Sequence, residues 1–325
     1  IGASLRRYRA PWCEPVSEMT ALSSTAPARG AWSDRRDASL FLGLLPALVV
    51  LAALTAAPGI YLVLTSLTPL NLANPGSAWD FSQPLGNYVS MFEDPRFLNS
   101  VAVQVKLSLS SVVLQLFSGL AVALLLHANT RVRTIARSAL LIPMVLPPIV
   151  VGITWLALFT VDISPLHRFM EGIGLPIPPL LTNPSTALWA IVFAGTWQHF
   201  PFAMLMSLAA LQMVPDSPIE AARIDGASRS QIFWHVRLPF IAPTLVVAGL
   251  FILIDSVKAF PLIFIMTDGG PGEVTEVTNF YVYRQAFTFS LWGYGSAIAT
   301  LMLAGVFVVS YAIYRITSPK DDHGQ

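Results

Sequence analysis

An all-α membrane protein of six transmembrane helices, with both termini in the cytoplasm, is the fold class the sequence predicts. Composition, six long apolar segments and the placement of arginine carry that prediction. Of the 325 residues, 54% are hydrophobic and 11% charged, and the mean hydropathy is +0.64. A water-soluble domain carries roughly a quarter of its residues as charges. This chain cannot clothe a water-facing surface of its size and must turn much of it to lipid. The formal net charge of +1 is uninformative, since in membrane proteins the location of charge matters more than its sum. No nucleic-acid partner is expected. The single cysteine, Cys13, excludes an intrachain disulfide and any metal cluster built on several thiolates, so no metal site is expected.

Residues 1–37 are polar, rich in Arg, Ser, Pro and Ala, and lack apolar periodicity, as in a flexible cytoplasmic tail. Met19 could open the natural chain. Arg35-Arg36 ahead of an apolar run has the look of a twin-arginine signal, but Leu40–Leu67 is far longer than a signal segment. It reads as a retained first transmembrane helix. Crossing a hydrocarbon core takes about 20 residues of helix, and five further segments meet that length: 102–126, 138–160, 186–211, 239–266 and 294–315. The second of these holds Pro143, Pro147 and Pro148, so a break or kink is expected near its start. Basic residues concentrate on one side: Arg6, Arg7, Arg9, Arg29, Arg35 and Arg36 in the tail, Arg131, Arg133 and Arg137, then Arg223, Arg229 and Arg237, and last Arg315 and Lys320. By the positive-inside rule that side is cytoplasmic. The membrane domain then covers 38–315, and 316–325 form a C-terminal cytoplasmic tail. The outer loops 68–100, 161–185 and 267–293 are too short for a separate domain.

The cytoplasmic loop 214–237 is too ordered for a plain connection. Ser217, Pro218 and Glu220 read as a capping box with proline at the first helical position. Gly226 ends that turn, and Ser228 with Gln231 starts another. Two short amphipathic helices joined at a glycine are therefore expected to project from the membrane.

The run Glu220-Ala221-Ala222, three residues, Gly226, nine residues, Val236, one residue, Leu238-Pro239 resembles the EAA signature of ABC-importer permeases, with Val in place of Ile at 236. A second stretch narrows the resemblance. Met266-Thr267-Asp268-Gly269-Gly270-Pro271, Tyr281-Val282-Tyr283, Ala286-Phe287 and Gly293-Tyr294-Gly295-Ser296-Ala297 are similar to carbohydrate permeases of the maltose-transporter type. Within that type they resemble the subunit related to the maltose-binding permease. The resemblance implies the type I ABC importer permease fold and a multi-pass place in the bacterial cytoplasmic membrane. It implies a coupling helix in which Glu220, Ala221, Ala222 and Gly226 meet the ATPase. Its implied partners are a second homologous permease subunit, two ATPase subunits and an extracytoplasmic sugar-binding protein. The chain itself has no G-x-x-x-x-G-K-[ST] loop. It is expected to be no enzyme and to hold no cofactor, with ATP and magnesium bound by the partner ATPases.

A polar solute crosses only where side chains replace its hydration. Gly195, Gln198, His199 and Phe202 share one helical face, and Asp255, Ser256 and Lys258 sit in the following span. Amides and carboxylates bind sugar hydroxyls, and aromatic rings such as Phe202 and Trp197 cover C–H faces. Charges at membrane depth cost at least ~2.5 kcal/mol each and usually mark function, although Asp255 and Lys258 could also be a structural i,i+3 pair. The helices match those from which maltose-type permeases contact sugar. The expected substrate residues are Gln198, His199, Phe202, Asp255, Ser256 and Lys258, and the expected cargo is a disaccharide of maltose or trehalose type. A polyol or glycerol-phosphate solute is the alternative, and an ion-coupled secondary transporter a more distant one.

Overall fold

The computed structural model describes residues 30–128, 130–175 and 177–317. Cys13, Met19 and the rest of the expected N-terminal tail up to residue 29, together with the C-terminal residues from 318, lie outside the described residues. The first helix, α1 (Gly30–Ser66), starts earlier than expected and takes in residues 30–37, which the sequence assigns to the tail. Its apolar stretch Gly43–Ser66 has 24 residues, about 36 Å of helix at 1.5 Å per residue and enough for a hydrocarbon core of ~30 Å. Within it Thr55 donates its hydroxyl proton to the Leu51 carbonyl at 2.8 Å, so that donor is satisfied inside its own helix.

The body of the molecule is built from α2 (Gly86–Glu93), α3 (Pro95–Leu126), α4 (Arg131–Leu140), α5 (Ile142–Val145), α6 (Pro148–Phe159), α7 (Pro165–Gly172), α8 (Ala187–Gln212), α9 (Asp216–Ile224), α10 (Arg229–Ile232), α11 (Leu238–Ser256), α12 (Phe260–Met266), α13 (Thr278–Tyr283) and α14 (Trp292–Thr317). Four of the helical stretches are long and apolar enough to cross a membrane, or six if each bent pair counts as one span. The expected proline break lies between α5 and α6, where the two halves meet at 94°. Leu146 and Pro147 are extended there, as residues preceding proline prefer to be. Pro148 opens α6, where its missing N–H costs nothing.

The centre of the body is the contact of α3 with α8. Gly119 and Ala123 on α3 face Ala203 and Ser207 on α8, and the last three are fully buried. A Cβ added to Gly119 would lie 2.5 Å from the Ala203 Cβ and 2.7 Å from backbone atoms of Ala203 and Met204. Small residues four apart on both helices let the backbones touch, which is how helices associate where no hydrophobic effect drives them together. Towards one end Ala123 packs with Met204, Leu208, Leu211 and Ile241. Towards the other, Val103 and Leu107 join Ile191, Val192, Ile263 and Phe280. Residue numbers rise together along both helices, so α3 and α8 run parallel.

The loop after α12 is tied to the start of α3. Arg96 grips the buried Glu276 with two bonds of 2.8 and 3.1 Å and also reaches Glu273 at 3.1 Å. Asp94, which caps α3 through the Arg96 N–H, accepts hydrogen bonds from the hydroxyls of Tyr281 and Tyr294. Burial works against its charge, but the bonds from Tyr281 and Tyr294 outweigh it and hold its carboxyl below the usual aspartate range. The stabilisation they lend is complete above that range and fades as pH falls through the lowered value.

The expected capping box at Ser217 is not formed. Helix α9 starts at Asp216 with Pro215 before it and no side-chain cap. Pro215 holds the chain extended two residues earlier than the box requires, and the Asp216 carboxylate sits in the first turn, favoured by the helix dipole. The second box is present: Ser228 and Gln231 bond reciprocally at 3.3 and 2.8 Å. The helix it starts is not a separate one, because α10 passes through a widened turn, Phe233–Arg237, directly into α11.

Gly119→Ala should lower the melting temperature of the detergent-purified protein by an amount matching about 1–3 kcal/mol of overpacking. Gly305→Ala, where a Cβ meets nothing within 4 Å, should leave it unchanged. Equal melting of the two variants would show that the α3–α8 contact is looser than described.

Candidate functional site

One turn from the α3–α8 contact the two helices enclose a cavity of about 230 Å³, closed on its remaining sides by Pro148 of α6 and by the end of α11 and start of α12. Its polar lining consists of Ser111 and Gln115 from α3, Gln198 and His199 from α8, and Asp255, Ser256 and Lys258 at the α11 end. The structure thus brings together five of the six expected substrate residues. Phe202, the sixth, is not among the lining residues. It lies two turns beyond Gly195, where the helix has already closed on its neighbours, and its ring meets Phe251 of α11 edge-on at 6.1 Å. Trp197 packs against Trp155 at 5.7 Å and also stays out of the lining.

The lining side chains have different duties. Gln198 is only 1% exposed. Its amide donates to the Leu146 carbonyl at 3.0 Å, in the break between α5 and α6. That is the service a proline-broken span needs: a neighbouring helix satisfies the carbonyl that the break has freed. The other amide atom, Oε1, is buried with no protein partner. His199 turns Nδ1 to the Gly195 carbonyl at 3.1 Å, and its Nε2 stands 3.6 Å from the Asp255 carboxylate. Asp255 therefore faces His199 across two helices. No carboxylate lies within 4.0 Å of the Lys258 ammonium among the described residues, so the expected i,i+3 pair is absent. Ser256 bonds Ser108 at 2.7 Å and the Leu253 carbonyl at 2.6 Å, which ties its hydroxyl to helix packing.

Sequence reasoning passed over the contribution of α3. Gln104, Ser108, Ser111 and Gln115 are all buried and stand at i, i+4, i+7 and i+11, one continuous face. Gln104 donates to Ser108 at 3.1 Å and to the Ser256 carbonyl at 3.3 Å, which locks α3 to α11. The signal was available, since polar residues at helical spacing inside an apolar span must point into the bundle.

At the opposite end of α8 the chain bends by 71° into α9. Gly226, at φ +79°, closes α9: the Ala227 N–H reaches the Ala222 carbonyl at 2.9 Å and the Gly226 N–H the Arg223 carbonyl at 3.1 Å. This is the double-bonded glycine stop that only a residue without Cβ adopts freely. Ile219 is buried beneath the elbow, whereas Glu220, Ala221 and Gly226 are exposed and Ile224 is 86% exposed. Ala222 is half-buried.

A bent, multi-helix membrane body with a polar cavity and a projecting elbow defines a solute permease. Residues 115–321 match the family of binding-protein-dependent transport system inner membrane components, and the chain belongs to that family. It is a multi-pass protein of the bacterial inner membrane and the permease component of an ABC transporter, with ATP hydrolysis left to separate subunits. The sulfoquinovosyl glycerol transport system permease protein of Agrobacterium fabrum is 33% identical over 293 residues, covering 89% of this chain and 94% of that one. The trehalose/maltose transport system permease protein of Thermococcus litoralis is 33% identical over 229 residues, 70% of this chain and 77% of that one. The fold matches a chain of the bacterial alginate ABC transporter, solved in complex with an alginate pentasaccharide-bound periplasmic protein, with a TM-score of 0.76 over 91% of this chain and 99% of that one at 19% identity.

Gln198→Leu keeps the side chain's bulk and strips the amide, leaving the Leu146 carbonyl unpaired. We expect a loss of about 1–3 kcal/mol, read as a lower melting temperature of the purified protein. A wild-type melting temperature would remove Gln198 from the scaffold of the broken span.

Proposed function

We propose that this chain is a permease subunit of an ATP-driven importer that moves a sugar into the cell by alternating access. Disaccharides of the maltose or trehalose type are the preferred cargo. The observation that carries the reading is the cavity between α3, α8 and α11, where Gln198, His199, Asp255 and Lys258 converge in an otherwise apolar bundle. Amide, imidazole, carboxylate and ammonium together supply donors and acceptors for hydroxyl groups. The Thermococcus relative's cargo supports the choice of disaccharide. A glycerol-bearing glycoside is the second reading: the Agrobacterium relative is named for one, and Lys258 offers a cation to a charged cargo.

In this reading six spans cross the membrane and both ends of the chain are cytoplasmic. Residues 38–315 form the transporting domain, with short cytoplasmic tails on either side. The elbow docks on one of two ATPase subunits, which bind ATP and magnesium, while a second homologous permease completes the pathway and an extracytoplasmic binding protein delivers the sugar. The exposed face of Glu220, Ala221 and Ile224 beside the Gly226 stop supports the docking role.

Two experiments test these assignments. Asp255→Asn and His199→Ala should each weaken the apparent affinity for trehalose or maltose uptake by roughly 1–3 kcal/mol, the value of a lost polar contact away from water. Assembly with the ATPase should be unaffected. Normal uptake and sugar preference in both variants would move the pathway to other helix faces.

Glu220→Lys and Gly226→Pro should abolish transport and ATPase association while the protein still inserts in the membrane. Proline cannot reach φ +79° or supply the N–H that Arg223 accepts. Wild-type uptake in both would leave the elbow without a coupling role.

A further inference from the structure

We propose that the inner side of the elbow is a cradle for the phosphate of an anionic lipid headgroup, held by Arg223, Arg229 and Arg237. The three side chains line one cavity of about 520 Å³ together with Ala227 and Ile232. The fold gathers them by two local devices. The glycine stop at Gly226 reverses the chain, so that the last turn of α9 and the first of α10 face the same space. Arg229 and Arg237 are eight residues apart, which in a regular helix rotates them by about 80° from each other. The widened turn Phe233–Arg237 takes more residues per revolution and reduces that offset, putting both on the cavity side.

Three guanidinium groups on one cavity repel one another unless an anion lies between them. Among the described residues none has a carboxylate within 4.0 Å, although Asp216, Glu220 and Asp225 belong to the same elbow. The positive field reaches further: burial first, then Arg237 and Arg137, hold the neighbouring His127 below the usual imidazole range. The planar fork of arginine suits the oxygens of a phosphate group.

Position selects lipid over a soluble anion. Arg237 stands directly before the apolar α11, and the exposed Trp234 and Phe240 flank it. Exposed aromatics beside a basic residue at the end of a span mark the headgroup level. The cytoplasmic leaflet is where anionic lipids draw basic clusters. The inference rests on the elbow being cytoplasmic.

The test is native mass spectrometry of the full transporter, purified with its ATPase, from nanodiscs of phosphatidylcholine mixed with phosphatidylglycerol. The parent protein should retain phosphatidylglycerol in preference to phosphatidylcholine. The double variant R229Q/R237Q should retain it about fivefold less for each arginine removed, while R229K/R237K, which keeps the charges, should retain most of it. Should the double variant fail to assemble, R229Q alone reads the same fivefold loss. Equal retention by parent and glutamine variants would overturn the cradle. Displacement of the lipid by millimolar inorganic phosphate would overturn the lipid assignment in favour of a free anion. Unchanged retention with lost ATPase association would overturn it in favour of an acidic partner side chain. A cysteine placed by Ser228→Cys should resist an impermeant thiol reagent in intact cells. Its labelling would overturn the orientation, a failure separate from that of the cradle.

Discussion

The close approach of α3 and α8 at Gly119 and Ala203 is the constraint on which the rest of the bundle depends. Lipid tails are as apolar as leucine, so two helices gain little by merely hiding hydrocarbon from each other. They gain by dispersion contact at short range, and a glycine in mid-helix, which sacrifices about 1 kcal/mol of helix propensity, permits that range. Once the backbones touch at this level, the parallel pair must leave space where its side chains grow larger or more polar. That space begins one turn away, at Gln115 and His199. The cavity is thus a geometric consequence of a contact between small residues.

Polar groups around that space divide between those spent on the scaffold and those left for cargo. Ser108, Ser256 and Gln104 satisfy one another and a backbone carbonyl between α3 and α11. One end of the Gln198 amide is spent on the broken span at Leu146. What is left facing the cavity is the Asp255 carboxylate with its His199 neighbour and the Lys258 ammonium. Asp255 is 53% and His199 31% exposed, so neither side chain is sealed into the helix packing.

Much of this was legible in the sequence wherever the cause is local. The break at Pro147-Pro148, the glycine stop at 226 and the box at Ser228 each follow from a few consecutive residues, whereas the interruption of the expected 239–266 span between α11 and α12 does not. The convergence of Gln198, His199, Asp255 and Lys258 was legible because polar residues in apolar spans have few places to point. Three further features were not. The Ser217 box is a good local pattern that lost to Pro215, which started the helix two residues earlier. Phe202 shares the helical face of Gln198, but helical periodicity gives direction and not depth, and at its depth α11 already fills the space with Phe251. The ion pair of Arg96 with Glu276 joins residues 180 positions apart, and no local signature announces such a partner.

The His199–Asp255 contact gives the two ends of the molecule a shared mechanical element. It spans α8 and α11, and these are the helices that enter and leave the elbow. Between Gln212 and the start of α11 the chain makes only the 71° bend into α9, the glycine stop and the widened turn at Phe233–Arg237. Packed helices transmit displacement rather than absorb it. In the proposed coupling role, a load placed on the exposed face of α9 would reach the cavity as a change in the angle between α8 and α11. Thirteen residues of α8 and seventeen of α11 separate the elbow from the pair, a lever over which a small rotation becomes a shift comparable to the 3.6 Å that now separates imidazole from carboxylate. The polar residues that would hold a cargo are thereby placed where movement of the elbow alters them most.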